Sequence, residues 1–343
     1  MIGIILANTG SPASPEPDDI EAYLSEFLMD DRIRQMPKPL WRRLVTKEIL
    51  PKRKFASAKR YRFIWTEEGS PLVVGFNDLA RRVQELFDAE GEGRVLVRSA
   101  MSYGEPSFRC VLNEFRDADV EHLILLPLYP QSAYSPTLAT VDAFWRAQDA
   151  IGWHPSSTVI DNFHDDPGYI AAIVRSIRNV GFGPHAGDRL VFSLHAIPLK
   201  DERAGDTYRA QIAESVRLVA GEIGIAPDSV TVSYQSVFGR DASKWTGPLT
   251  RDVLSSWRDD SFRVVLACPG FLIDCLETLY DIPFEMVPAL EGEGAMPVVG
   301  HAGGDIQAAC NTAGRFVWVP TLGASEAHAA LVKSIVEQHA EIC

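Results

Sequence analysis

RLVFSLHAIP, residues 189–198, and RVVLACPGFLIDCLETLYDI, residues 263–282, decide the reading of this 343-residue chain. Leu190 to Leu194 reads as a strand covered on both faces, and it ends on a titratable residue, His195. Val264 to Cys268 reads the same way and runs into a carboxylate-bearing segment. In an open parallel α/β sheet, chemistry gathers beyond the carboxyl ends of the strands, so an imidazole and a set of carboxylates placed there can face one cleft. Read as a helix beginning near Phe271, the second segment puts Asp274, Glu277 and Asp281 on one face, at i, i+3 and i+7. Phe271, Cys275, Leu276, Leu279 and Ile282 fill the rest, and Pro283 closes it. Three acids on an enclosed face would raise the pKa of at least one. On an open face they are a solvated stripe, and His195 is then a satisfied core imidazole. The residues alone leave both readings open.

Working outward, the same grammar repeats along the chain. Ile2 to Ala7 is an apolar strand, followed by the turn NTGSP and a helix whose apolar positions Ile20, Tyr23, Leu24, Phe27 and Leu28 keep helical spacing. Leu79 to Phe87 continues the helical pattern, the strand Val95 to Val97 leads to MSYGEP, and the strand His122 to Leu128 ends at YPQ. The second half offers a strand at Ser157 to Ile160, a helix from Tyr169 through Val180, the strand ending at His195 and a helix from about Thr207 to Ile223. Strands Val230 to Tyr234 and Val264 to Cys268 follow, and a helix from about Ala324 to Ile342 ends the chain. Alternating strands and helices imply right-handed βαβ units and parallel sheets. The expected fold is α/β, with two similar doubly wound, Rossmann-like domains, 1–150 and 151–343, and a cleft between them.

Composition removes several function classes. Apolar residues make up 46% and charged residues 23%, as in a globular protein. A net charge of −13 argues against a nucleic-acid partner. No G-x-G-x-x-G follows the first strand, and neither a Walker sequence nor a G-x-S-x-G elbow appears, so nucleotide binding and serine hydrolase chemistry lack their usual parts. No apolar run reaches the length of a membrane span, and MIGIILA lacks the basic start of a signal peptide, so a cytoplasmic protein is expected. Cys110, Cys268, Cys275, Cys310 and Cys343 show no metal-ligand spacing; they read as reduced thiols, and no iron–sulfur cluster is expected. One stretch departs from the acidic balance. Between Arg32 and Arg60, eleven Lys or Arg residues surround a single acid, Glu48, interleaved with Met36, Leu40, Trp41, Leu44 and Phe55. It suits either peripheral contact with the inner face of an anionic membrane, an anionic ligand, or a solvated helix face.

Nine motifs then stand in one order: LANTGSP at 6–12, IWTEEGSPL at 64–72, MSYGEPS at 101–107, LPLYPQ at 126–131, SLHAIP at 193–198, GDTY at 205–208, YQSVFGR at 234–240, WTGPLT at 245–250 and CPGFLIDCLETL at 268–279. Together they resemble the ferrochelatases, which insert ferrous iron into a porphyrin to make haem and are built as two Rossmann-like domains around a cleft. The resemblance carries the family's essential His onto His195 and its essential Glu onto Glu277, as catalytic residues that also meet the metal. Asp274 and Asp281 become a proton or metal relay. Thr9, Tyr103, Tyr129, Gln235 and Ser236 become porphyrin-binding residues.

The chemistry suits these residue types. A porphyrin must lose two pyrrole N–H protons and accept a dehydrating Fe²⁺, which needs a base that titrates near neutrality and carboxylates that pass on a divalent ion. The resemblance implies Fe²⁺ as substrate, no organic cofactor, and a monomer. The N-x-G-x-P turn and the CPGFxxDCLETL string resemble the branch that uses protoporphyrin IX; coproporphyrin III, another divalent metal, or a non-catalytic porphyrin carrier are the alternatives. Ala196 where the family usually has Gly, Leu194 before the His, and Val237 after Gln235–Ser236 depart from the pattern and bear on ligand grip.

Overall fold

The computed structural model describes every residue except 35, 92–93, 185–186, 240, 293, 296–313 and 340–343. The chain divides into two compact units, Met1–Phe163 together with the segment from Ala324, and His164–Gly323.

The first unit runs β1 (Ile2–Gly10), α1 (Pro17–Leu28), α2 (Lys38–Leu44), α3 (Leu50–Ile64), α4 (Pro71–Ala89), β2 (Val95–Tyr103), α5 (Phe108–Asp117), β3 (His122–Pro127), α6 (Thr137–Ile151) and β4 (Ser156–Val159). Its four strands form a parallel sheet in the order β2-β1-β3-β4. β1 lies between β2 and β3, and Ile4, Ile5, Leu6 and Ala7 are fully buried, as an unbroken apolar run requires when both sheet faces are covered. On one face Ile5, Ala7, Leu123 and Leu125 pack against Phe108, Leu112 and Phe115 of α5 and Phe144 of α6. The glycine of NTGSP has a steric cause. Gly10 sits at φ +106° opposite Tyr103 in the β1–β2 register, and a Cβ there would stand 1.9 Å from the Tyr103 carbonyl oxygen.

The second unit contains α7 (Pro167–Asn179), β5 (Arg189–His195), α8 (Leu199–Arg203), α9 (Tyr208–Ile223), β6 (Val230–Gln235), α10 (Thr250–Ser256), β7 (Val264–Ala267), α11 (Leu276–Leu279), α12 (Val287–Glu291) and β8 (Phe316–Trp318). Its parallel sheet has the order β6-β5-β7-β8. α7 starts as its sequence dictates: the Asp166 carboxylate accepts the Tyr169 N–H at 2.9 Å, and Pro167 takes the first helical position. Below the sheet Asp188, with a side chain 5% exposed, accepts two hydrogen bonds from Arg263, at 3.1 and 2.6 Å, and a third from the Gly183 N–H at 2.8 Å.

Two parallel α/β sheets were expected; the division of the chain differs from the expected 1–150 and 151–343. β4 belongs to the first sheet, because His122 to Leu125 of β3 pair in register with Ser156 to Val159. The C-terminal helix α13 (Glu326–His339), expected in the second domain, packs on α4 of the first unit. There Lys333 lies 5.0 Å over the Phe87 ring and pairs with Glu90 at 2.7 Å and with Glu337 one turn on.

The expected helix from Phe271 is the larger correction. Pro269 and Gly270 make a turn in which the Phe271 N–H bonds to the Cys268 carbonyl at 2.9 Å. The Leu272 carbonyl, which a helix would give to residue 276, instead accepts from the Gly323 N–H at 2.9 Å. Helix begins only at Leu276, so Asp274 precedes it and Asp281 follows it.

Candidate active site

In the second unit β5 and β6 end side by side. His195 pairs with Gln235, and the Ala196 N–H donates to the Gln235 carbonyl at 2.9 Å. The His195 ring is half-buried, with its centroid 6.5 Å from that of Phe271. Its Nδ1 lies 2.7 Å from the Ala196 carbonyl oxygen. A carbonyl can only accept, so the ring proton of the neutral imidazole sits on Nδ1, and Nε2 keeps its lone pair. Tyr208, buried at the start of α9, meets the His195 backbone amide from below; its phenol is pushed up by burial and then by Tyr234, Tyr169 and Asp206. Asp206 fixes that tyrosine by accepting the Tyr208 N–H at 2.8 Å. This is the structural task of GDTY, a motif whose role the sequence did not disclose.

The carboxylate segment is irregular and is tied down from outside. The Tyr169 hydroxyl donates to the Pro269 carbonyl at 3.1 Å. The Cys275 N–H donates to the Thr278 hydroxyl at 3.0 Å, and that hydroxyl donates to Asp274 Oδ1 at 3.0 Å. The Gln235 amide NH₂ donates to the Glu277 carbonyl at 2.9 Å, and the Ser236 hydroxyl donates to Asp281 Oδ2 at 3.0 Å. Asp281 is buried, and Asp274 and Glu277 are half-buried, so the three acids form neither the single helical face nor the solvated stripe that the spacing allowed. Burial raises the Asp274 pKa, against the hydroxyls of Thr278 and Thr321. The thiols of Cys268 and Cys275 are pushed up by burial first; Asp274 and Asp281 add to the effect at Cys268, and Glu277 adds to it at Cys275. Among the described residues, no three His, Cys, Asp or Glu side chains gather closely enough to hold a metal ion. Cys310 and Cys343 lie outside the described residues.

In the first unit the structure brings together Thr9 and Tyr129, whose hydroxyls are 2.7 Å apart. Tyr103 is buried edge-on against Phe27, with centroids 5.4 Å apart. Burial raises its pKa most, followed by the carboxylate of Asp30. Asp30 is buried as well and pairs with Arg146 at 3.0 Å. Tyr103, Asp30 and Arg146 line a cavity of about 470 Å³. Neither Asp30 nor Arg146 was legible beforehand. Asp30 follows the end of α1 and its partner Arg146 lies on α6, 116 positions later, where no local pattern joins them.

The profile of the ferrochelatase family matches residues 1–340. The chain belongs to the ferrochelatase family. The ferrochelatase of an Azoarcus species is 39% identical over 295 residues, covering 85% of this chain and 80% of that protein. The ferrochelatase of Chromobacterium violaceum is 36% identical over 306 residues, covering 89% of this chain and 81% of that protein. Among solved structures, SirB from Bacillus subtilis with Fe³⁺ superposes at a TM-score of 0.49 and 12% identity, over 78% of this chain and 91% of SirB.

Several ferrochelatase motifs now have mechanical explanations. Within WTGPLT the Thr246 hydroxyl accepts the Ile197 N–H at 3.1 Å, and the Pro248 carbonyl accepts the Tyr234 N–H at 2.9 Å, which secures the ends of β5 and β6. Thr250 stands beneath the same two strands, 2.7 Å from the Ser193 hydroxyl and 2.9 Å from that of Ser233. Ala196 fits the place where the family usually has glycine because its φ is not among the positive ones; Asp119 and Ser236 are the described non-glycine residues with positive φ.

Proposed function

We propose that this ferrochelatase-family chain inserts Fe²⁺ into protoporphyrin IX, with His195 as the base and Glu277, Asp274 and Asp281 as the relay for protons and metal. As the metal enters, the two pyrrole N–H bonds break, both electron pairs stay on nitrogen, and two protons leave. The observation that carries this reading is the hydrogen bond from His195 Nδ1 to the Ala196 carbonyl. It fixes the tautomer and aims the basic Nε2 away from the backbone, so the ring can take a pyrrole proton without first rotating. Half-buried Glu277, two residues beyond the buried Cys275, can receive that proton or steer the departing hydration shell of the ion. Thr9, Tyr129 and Tyr103 supply hydroxyls for the macrocycle in this reading. Protoporphyrin IX is favoured over coproporphyrin III by the style of NTGSP and CPGFLIDCLETL.

The same reading gives the cationic segment a purpose. Leu40 and Phe55 are 63% and 60% exposed on α2 and α3, among the exposed cations Lys38, Arg42, Arg43, Lys47 and Lys59. Exposed apolar side chains interleaved with cations suit shallow contact with an anionic bilayer, from which a poorly soluble porphyrin can be drawn. The contact is peripheral; among the described residues no helix is long and apolar enough to cross a membrane. Lys54 of this stretch, and Arg62 just beyond it, serve another end, since they pair with Glu21 of α1 and with Glu16 at its N-cap.

The deciding experiment is anaerobic Fe²⁺ insertion followed by absorbance, with protoporphyrin IX and coproporphyrin III in parallel. Faster turnover of protoporphyrin IX is expected. Faster turnover of coproporphyrin III would reassign the substrate, and binding of both without metallation would replace the enzyme by a carrier.

A further inference from the structure

The helix that carries Glu277 has four residues, far too few to hold itself together. Irregular chain precedes it, and a π-helical turn, Ile282–Met286, follows shortly after it. Its position must therefore come from contacts made by other elements. Two of those contacts come from adjacent residues at the end of β6, Gln235 and Ser236, and they reach the two ends of the same short stretch.

Gln235 is 2% exposed, and both ends of its amide are engaged. The Oε1 accepts from the Ser193 hydroxyl at 2.5 Å and lies 3.9 Å from the Cys268 thiol, while the NH₂ donates to the Glu277 carbonyl. The amide cannot be turned over, because the Glu277 carbonyl has no proton to give. Below it, Ser233 donates to the Phe192 carbonyl at 3.2 Å and Ser193 donates to Gln235, so the single Thr250 proton goes to one of the two serine oxygens, 2.7 and 2.9 Å away. Gln235 thus ties the strand ending in His195 to the backbone of Glu277. Ser236 takes a φ of +62°, a region that L side chains enter only when something holds them there. In that conformation its hydroxyl meets the Asp281 carboxylate.

We infer that Gln235 and Ser236 are positioning residues that clamp the Glu277 turn at both ends and set its carboxylates against the strand of His195, rather than contacts for the macrocycle. The inference rests on the chelatase reading, in which the placement of Glu277 limits the rate. At 2% exposure, with its Oε1 accepting from Ser193 and its NH₂ donating to the Glu277 carbonyl, Gln235 is turned to the protein, and Ser236 gives its one hydroxyl proton to Asp281.

The test compares wild type with Gln235→Leu, Gln235→Glu, Ser236→Ala, Ser236→Asn and Thr250→Val. Thr250 belongs to the hydroxyl array but touches neither clamp residue, so Thr250→Val reports loss of core polarity alone. Gln235→Leu is expected to lower kcat at least tenfold while the porphyrin KM changes less than twofold, and Thr250→Val is expected to stay within twofold of wild type in both. Gln235→Glu keeps the acceptor for Ser193 but loses the donor to Glu277, so it should fall with Gln235→Leu. Ser236→Asn, which tolerates positive φ and retains a donor, is expected to recover most of what Ser236→Ala loses. A Gln235→Leu protein with wild-type kcat, or with a raised KM alone, overturns the clamp.

Amide hydrogen exchange supplies a second arm that needs no turnover. Residues 276–281 are expected to exchange at least tenfold faster in Gln235→Leu while 189–195 stay protected, and unchanged exchange over 276–281 overturns the clamp. Wild-type protein that fails to metallate any porphyrin while showing this exchange pattern would sink the chelatase reading and leave the clamp standing.

Discussion

His195 donates the proton on its Nδ1 to the carbonyl oxygen of Ala196, the next residue in the chain, at 2.7 Å. The orientation of the ring is therefore set by the backbone itself, and the neutral ring carries its lone pair on Nε2. Replacing His195 by Ala is expected to lower metal insertion by about 100-fold or more, the usual contribution of a positioned base. Porphyrin binding, read by quenching of protein fluorescence, should stay within a few-fold of wild type. Retained turnover would mean that the proton leaves by another route.

Stability should depend on the Asp188–Arg263 pair. Burial disfavours the Asp188 charge, yet the Arg263 guanidinium and the Gly183 N–H outweigh it and hold the carboxyl below its usual range. A depressed folded-state pKa contributes stability that is present above the ordinary aspartate value and is lost as pH falls through the lower, folded one. Arg263→Ala is expected to cost about 2 kcal/mol at pH 7, and the gap to wild type should narrow below pH 4. Urea melts at the two pH values check this; a gap that widens in acid contradicts it.

Thiol reactivity should separate the described cysteines. Cys110 is exposed, whereas Cys268 and Cys275 are buried, and burial pushes both of their thiols up. Brief treatment of native protein with iodoacetamide should label Cys110 and spare the other two, as read by peptide mass spectrometry. Labelling of Cys275 in native protein would show that the Glu277 turn opens readily.

At Gly10 an added methyl group meets a carbonyl oxygen at 1.9 Å, in a backbone conformation unsuited to alanine. Gly10→Ala is expected to destabilise the protein by about 3 kcal/mol or more through combined strain and displacement of the β2 end. A thermal shift under 2 °C would show that the strand ends part without cost.

For the cationic segment, vesicles containing phosphatidylserine should bind the protein at low salt and release it as salt rises, because screening weakens the attraction. The pair Leu40→Asp and Phe55→Asp should lower binding at least tenfold without changing turnover of a detergent-solubilised porphyrin. Equal binding to neutral vesicles would remove the electrostatic part of the proposal.

The sheets were legible because their strands are long apolar runs with nothing to imitate a helix; Ile2 to Ala7 and Leu190 to Leu194 could hardly lie anywhere but in the middle of covered sheets. The three acids beyond Cys268 were legible as residues but not as a shape. Helical spacing in DCLETLYDI is genuine, but the competing claim of the Gly323 N–H on the Leu272 carbonyl lies 51 positions away in sequence, where no local pattern reaches it. Gln235 and Ser236 were expected as porphyrin contacts; what the sequence could not show is that their side chains bond to the Glu277 carbonyl and the Asp281 carboxylate, 42 and 45 positions away. β8 escaped notice because FVW is too short to show a period. The placement of α13 was hidden for the same reason as the role of Gly323: its partner α4 lies more than 200 residues earlier.

That last arrangement bears on how the first unit is held closed. The polypeptide leaves its first unit after Phe163 and comes back to it at Ala324, so everything from His164 to Gly323 is an excursion from an unfinished structure. The flank of α4 is covered by α13, whose residues follow α4 by more than 200 positions, so closing the first unit takes a contact of very high sequence separation. Lys333, paired with Glu90 and Glu337 over Phe87, stands at that closing contact, so a change there loosens the first unit from its far end in sequence.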